Sequence, residues 1–377
     1  MIMMVLASLA AGLSLTAPGG AAGPAVAAKK KCKWVTKVVH GHKRRVRVCH
    51  TVKPPPQPPP KAGDIIGSVS LGSGPHYETQ RMAAGDGTIW VSIADNDVLR
   101  VDPGSMKVVA TIESPDLEFP PNVAVGHGAL WIADDLPALN LGPEGGQLRK
   151  VDVATNKVVA TIPVGRTPEG IAFTPGAVWT ANHRSDEVEG TPGAHTFSVS
   201  RVDLDSNTEA ARVPVEHRPG TSSDWNNFCC GPQGMTTGFG SVWVGDATSK
   251  SVYRIDPDKN AVIATIPAPS GSEACGDLAA EATGIWVGAS CDSPLIWRID
   301  PQTNTVSKAI KVSDQSGQIA AGLGWIWAVS EDRLYRIDPV SGAVIGQNKI
   351  VGANAVAVGD GVLWVGQGSK LLKIRPA

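Results

Sequence analysis

One short apolar run recurs along this chain about every forty residues, each time around a tryptophan. It reads GTIWV at Trp90, GALWI at Trp131, GAVWT at Trp179, GSVWV at Trp243, TGIWV at Trp286, WIWAV at Trp327 and GVLWV at Trp364, with spacings of 41, 48, 64, 43, 41 and 37 residues. A second motif recurs between these anchors: VDPGSMKVVATI, VDVATNKVVATIPVG, VDLDSNTEAARVPV, IDPDKNAVIATIPA, IDPQTNTVSKAIKV and IDPVSGAVIGQNKI. Each is an alternating strand broken by a turn, in which Pro presets the backbone dihedral and Asp or Asn bonds its own backbone. With GPQGMTTG as the strand ahead of Trp243, one repeat holds four short strands. A repeat of about forty residues with four strands is the mark of a β-propeller blade, and no segment has the periodicity of an amphipathic helix.

Seven anchors leave an open ring unless its ends meet. The last repeat stops at LLKIRPA and lacks its fourth strand, while IIGSVSLG at Ile65–Gly72 precedes the first anchor and resembles VVATIPVG. The expectation is an all-β, seven-bladed propeller over residues 64–377, closed by pairing of the N-terminal strand with the C-terminal blade.

The residues ahead of the ring differ in kind. Residues 1–28 form an apolar run ending in small residues, Ala25-Val26-Ala27-Ala28, and read as a secretory signal, although no Lys or Arg precedes the run. Gly and Pro interrupt it, which argues against a membrane anchor. Residues 29–53 read as a basic hairpin. A two-residue turn at His40-Gly41 places Cys32 opposite Cys49 on a non-hydrogen-bonded pair, where side chains lie closest, so a Cys32–Cys49 disulfide is expected. Export to an oxidising compartment makes that bond chemically sound. PPPQPPPKAG at 54–63 is a stiff spacer.

Charge divides at the same boundary. Residues 1–63 hold eleven Lys and Arg and no acid, leaving 23 basic against 35 acidic residues in the ring. The basic hairpin reads as a binder of anionic cell-wall polymers or lipid surfaces, as a solvated, repelling spacer, or as a tail that folds back on its own acidic ring. Nucleic acid is not an expected partner, and the chain is expected to be a secreted or envelope-associated monomer.

In a propeller the residues just before and after each Trp strand ring the mouth of the central channel. Nine residues before the anchors stand Arg81, Asn122, Gly170, Gly234, Asp277, Gln318 and Ala355, with Glu169 and Asn354 one further out. Three past them stand Asp134, Asn182, Asp246, Ser330 and Gln367 among others, and His183 follows Asn182. Asp134, Asp246 and Asp277, with Asn182, are oxygen donors suited to Mg²⁺ or Ca²⁺. His183 and Glu169 share a blade and form a candidate acid–base pair. The plainer alternative is that these groups hydrate the channel and satisfy loop backbone. Arg81, Asn182 and Gln318 are candidate binding residues on the same wall.

Two insertions interrupt the repeats, HRSDEVEGTPGAHTFSVS and HRPGTSSDWNNFCCGPQG. Trp225, Asn226, Asn227 and Phe228 form the least repetitive patch and the first candidate for a recognition surface. Cys229, Cys230, Cys275 and Cys291 are expected to cluster on neighbouring blades as disulfides, with three connectivities open. Their spacing matches no standard zinc pattern.

Units such as VDVATNKVVATIPVGRTPEGIAFTPGAVWTAN resemble the YVTN-type propeller repeats of secreted proteins and, more loosely, the propeller of streptogramin (virginiamycin B) lyases. The resemblance spans about residues 64–377. It implies the propeller fold and, for the lyases, ring-opening elimination of a cyclic depsipeptide ester by channel-mouth His and Glu with Mg²⁺. Those lyases typically read Trp-Phe-Thr-Glu where this chain reads WVSI, WIAD, WTAN, WVGD, WVGA, WAVS and WVGQ. No blade keeps that Glu, and only Asp134 and Asp246 place a carboxylate there. The leading expectation is therefore a binding module, the alternative a metal-dependent lyase or hydrolase, and a third a structural envelope protein tethered by its hairpin.

Overall fold

The structure is a computed structural model. It describes residues 29–39, 42–52, 63–113, 120–135, 145–186, 192–221, 231–270, 272–288, 294–312, 318–330 and 332–376. The signal-like segment, most of the Pro-rich spacer, the patch Trp225–Phe228 and Cys229, Cys230 and Cys291 lie outside these residues. The chain divides into two compact units, residues 1–59 and 60–377.

The first unit contains a two-stranded antiparallel ribbon, Lys29–Val39 with His42–Val52. Its register runs from Val39 opposite His42 to Lys29 opposite Val52, and Cys32 is disulfide-bonded to Cys49. An isolated hairpin is marginal in water, so this cross-link contributes most where the sheet has least to bury.

The second unit is the ring. Among the described residues it comprises seven four-stranded antiparallel sheets, six in simple sequence order. In the seventh, Ala353–Gly359, Val362–Gln367 and Lys370–Ile374 are completed by Ile65–Ser70 from the other end of the unit. The innermost strands are Thr79–Gly85, Asn122–Gly126, Pro168–Thr174, Pro232–Gly238, Leu278–Glu281, Ile319–Gly322 and Ala353–Gly359. Each packs on the next, and the last on the first, so the circle closes. Blades are numbered 1 to 7 from Trp90 to Trp364.

All seven anchor tryptophans are buried, and they fill the space between blades. Four of their indole N–H groups donate back to the end of their own innermost strand: Trp131 to Gly126 O, Trp179 to Thr174 Oγ1, Trp243 to Gly238 O and Trp327 to Gly322 O. In these four blades the strand-end acceptor satisfies the polar edge of a buried indole, whereas Nε1 of Trp90, Trp286 and Trp364 has no hydrogen-bond partner among the described residues.

Directly opposite each anchor, on the third strand, stands a cation: Arg100, Lys150, Arg201, Arg254, Arg298, Arg336 and Lys373. In six blades it lies over the ring of its own anchor, at 4.8 to 5.8 Å from the centroid, and Arg336 lies over Trp325 instead. Six of these cations then reach the following blade, five of them at its turn and Arg336 at the residues after its last strand. Arg100 donates to Asn156 Oδ1, Lys150 to Asn207 Oδ1, Arg254 to Asn304 Oδ1, Arg298 to Pro339 O, Arg336 to Pro376 O and Lys373 to Pro103 O. In the turns between third and fourth strands, Asp102, Asp152, Asp203, Asp256 and Asp338 each accept backbone N–H groups two and three residues on. The Asn at the turn's end is left-handed, with φ of 57, 51, 48 and 53° at Asn156, Asn207, Asn260 and Asn304, a conformation Asn tolerates well.

The first insertion is not a free loop where it is described. Pro192–Asp203 and Thr208–Thr221 pair from Pro192 opposite Thr221 to Asp203 opposite Thr208, so blade 3 extends its third and fourth strands as a long arm. The alternation in HTFSVS sustains the pairing beyond the blade's usual length.

Candidate functional site

Four innermost strands break register at their start, between Thr79 and Arg81, Pro168 and Ile171, Pro232 and Met235, and Ala353 and Ala355. A bulge leaves residues unpaired and re-aims side chains. The residues so released are Gln80, Glu169-Gly170, Gln233-Gly234 and Asn354, all at one end of the channel. Gly170 and Gly234 are required by close approach: a Cβ would lie 2.1 Å from Gln233 O and 2.2 Å from Gly276 O respectively. The channel opens there into a cavity of about 290 Å³, with Arg81, Asn122, Glu169, Gln233, Asp277 and Gln318 as its polar wall.

These groups divide into bracing and displayed chemistry. Gln318 is buried and donates from Nε2 to Gln80 O at 2.9 Å, while its Oε1 accepts the Val356 N–H at 3.3 Å, so it ties blade 6 to blades 1 and 7. Arg81 donates from Nε to Asn122 Oδ1 at 2.9 Å. It also faces Asp277. Burial pushes the Asp277 carboxyl above its ordinary range, Arg81 opposes that, Glu169 reinforces it by like charge, and the Ile319 N–H donates to it. Asp277 keeps some surface open to the channel although protein surrounds it at longer range, because the channel is narrow. The charged groups of this wall are thus one cation, Arg81, and two carboxylates, Asp277 and Glu169, so the wall favours a guest that brings positive charge or hydrogen-bond donors.

Glu169 also borders a cleft of about 80 Å³ with Pro120, Pro121, Asn122, Ala133, Thr167 and Pro168. Its Oε1 is 4.0 Å from His183 Nδ1, which lies 3.2 Å from Gly231 O. A carbonyl only accepts, so Nδ1 carries the proton in that contact and the neutral ring has its lone pair on Nε2. The backbone of His183 is held as well, donating to Thr167 O and accepting from Gly231 N–H.

The remaining candidates lie elsewhere. Asn182 is buried within blade 3 and donates to Ser198 Oγ and Ser200 Oγ, both at 2.9 Å. Asp134 is buried against Arg149, which contacts Oδ2 through Nε and donates to Oδ1 from Nη2 at 3.1 Å. Burial outweighs that partner and pushes the Asp134 carboxyl up to about 6. Asp246 Oδ1 accepts the N–H groups of Thr248 and Ser249, closing its own turn. Asp134, Asp246 and Asp277 therefore sit in three separate environments. Among the described residues no three His, Cys, Asp or Glu side chains converge to hold a metal ion, so the three aspartates do not form one oxygen cage for Mg²⁺ or Ca²⁺. Cys275, on the cavity wall, is disulfide-bonded to a partner outside the described residues.

No protein-family model matches the chain, and no curated protein matches it. The functional feature that sequence reasoning missed is the set of bulges. Their trace in the sequence is a polar residue beside Gly at the start of an inner strand, Glu169-Gly170 and Gln233-Gly234.

Proposed function

We propose that this propeller is an exported or envelope-associated binding module whose guest enters the bulged end of the channel. The observation that carries the reading is the wall itself: Arg81, Asp277 and Glu169 converge, from blades 1, 5 and 3, on a cavity of about 290 Å³. A structural channel has no need of a carboxyl held against burial beside a second carboxylate, whereas a site for an amine- or donor-rich small molecule or peptide does. Trp225, Asn226, Asn227 and Phe228 are assigned as a recognition surface because they form the least repetitive patch in the ring's sequence. The YVTN-type repeat resemblance and the disulfide Cys32–Cys49 favour export. Isothermal titration of amine-bearing small molecules and peptides tests the site. A guest bound by the native chain is to be weakened at least tenfold in Asp277→Asn and Glu169→Gln. Guests that bind all three forms alike refute the channel site.

A second reading rests on one contact, His183 beside Glu169 at the cavity's edge. Here the pair carries out proton transfer in an elimination or hydrolysis, His183 as base and Glu169 fixing its orientation. Turnover of a cyclic depsipeptide of the B-type streptogramin class that is lost in His183→Ala supports this reading. No turnover by the native chain, with or without Mg²⁺, removes it.

A further inference from the structure

The ribbon in the first unit has two unlike faces. Alternation along its strands sets Cys32, Trp34 and Thr36 beside Cys49, Arg47, Arg45 and Lys43, all on one face and all exposed, Trp34 at 61%. On the other face Val35 and Val48 are half-buried and Lys33, opposite Val48, is exposed, so what sets the first face apart is its exposed indole among the cations. Arg47 lies directly across from Trp34, and the disulfide is the next pair on that face. No acidic residue occurs anywhere in residues 1–63 to neutralise the row Lys43, Arg45 and Arg47.

We infer that this face docks on an anionic phospholipid surface, with Lys43, Arg45 and Arg47 on headgroup phosphates and the Trp34 indole at headgroup depth. Charge complementarity accounts for the cations, and the leaflet's negative potential draws each of them. Trp34 decides between a bilayer and a soluble polyanion. An indole left more than half exposed among cations gains little from a flexible anion, but a bilayer interface accepts its apolar body while its N–H stays wet. The Cys32–Cys49 bond fixes the ribbon before contact, so ordering costs little on docking. This inference is independent of the channel site.

The test uses the full chain sedimented with vesicles of phosphatidylcholine carrying phosphatidylglycerol, and with vesicles of phosphatidylcholine alone. Every comparison is between variants of one chain, so any contribution from residues 1–28 cancels. A gain of about fivefold per cation near an anionic surface predicts roughly hundredfold weaker binding for Lys43→Gln, Arg45→Gln and Arg47→Gln together, and no difference on neutral vesicles. Brominated lipid is to quench part of the tryptophan emission of the native chain, and that part is to vanish in Trp34→Phe. Cys32→Ser with Cys49→Ser keeps every charge and is to weaken binding several-fold. The inference is overturned if the triple variant binds anionic vesicles like the native chain. It is equally overturned if brominated lipid quenches native and Trp34→Phe chains alike, or if polyphosphate in solution competes at equal charge and abolishes binding, which would make a soluble polyanion the occupant.

Discussion

Arg254 lies over Trp243 with its guanidinium carbon 4.8 Å from the indole centroid, and its Nη1 donates to Asn304 Oδ1 at 2.8 Å in the next blade. The same residue also reaches Pro301 O at 2.7 Å. One side chain therefore covers the core of its own blade and clamps the turn of its neighbour. Repetition of this arrangement makes the ring a closed set of blade-to-blade ties. The exception among the described residues is the junction of blades 3 and 4, where Arg201 Nε and Asn260 Oδ1 both lack a hydrogen-bond partner.

That junction invites a comparison of variants. Arg254→Met removes the stack and four charge-assisted hydrogen bonds, to Ser241 and Phe239 in its own blade and to Pro301 and Asn304 in the next, which together predict a loss of at least about 2–3 kcal/mol. Arg201→Met removes only a stack, at 5.8 Å from Trp179, and is to cost under about 1 kcal/mol. Arg254→Lys is to recover part of the loss, since Lys150 and Lys373 fill the same place natively. Urea unfolding of the three variants checks this, and equal losses for Arg254→Met and Arg201→Met would show that the ties contribute nothing.

Much of the ring is legible in the amino-acid sequence, and the boundary of what is legible is physical. Trp243, the Asp256 turn and the strand Ala261–Pro267 solve a packing problem every blade shares, so repetition exposes them. The closing strand follows from counting, because a blade with three strands needs a fourth. The cation opposite each Trp stands in plain view in VLRVD, VYRID and IWRID, but its meaning depends on cross-strand register and on a partner some fifty residues away. The bulges are hidden for a deeper reason. Whether Glu169 points into the channel depends on how closely the Gly170 backbone meets Gln233 of the next blade, a contact no local pattern encodes.

Closure by Ile65–Ser70 carries its own prediction. Val69 and Leu71 are buried, Leu71 N–H donates to Ser369 O, and the strand covers the edge of Lys370–Ile374. Deleting residues 64–72 bares that edge, which then pairs with other chains. Light scattering is to show oligomers or aggregates. A monodisperse monomer with native stability would mean the strand is dispensable.

Gln318 offers a test of bracing against display. Gln318→Leu leaves Gln80 O and the Val356 N–H without their partner inside the ring, at a cost of about 2–4 kcal/mol. Gln318→Glu keeps the acceptor for Val356 but sets a buried carboxylate against Gln80 O, so it is to cost at least as much as Gln318→Leu. If Gln318→Leu unfolds at the native urea midpoint while guest binding is lost, the residue contacts the guest rather than the fold.

Asp134 predicts how stability follows pH. Its carboxyl titrates near 3.8 when unfolded and at about 6 when folded, because burial outweighs Arg149. Between these values the folded chain holds a proton that the unfolded chain has released, so stability falls as pH rises from about 4 to 6 and is then flat. The span of roughly two pH units corresponds to about 3 kcal/mol as an upper bound. The turn aspartates work in the opposite sense. Hydrogen bonds from Ser105, Thr155, Ser206 and Ser341, and from Lys259, hold Asp102, Asp152, Asp203, Asp338 and Asp256 below their ordinary range. Their contribution is present above about pH 4 and lost below it. The native chain should therefore be most stable near pH 4 to 5 as far as these groups decide. Asp134→Asn removes its own share of the descending limb and leaves that of Asp277, so its urea midpoint is to fall less between about pH 4.5 and 7 than the native midpoint. Parallel pH profiles for the two chains would show that Arg149 keeps Asp134 ionised throughout.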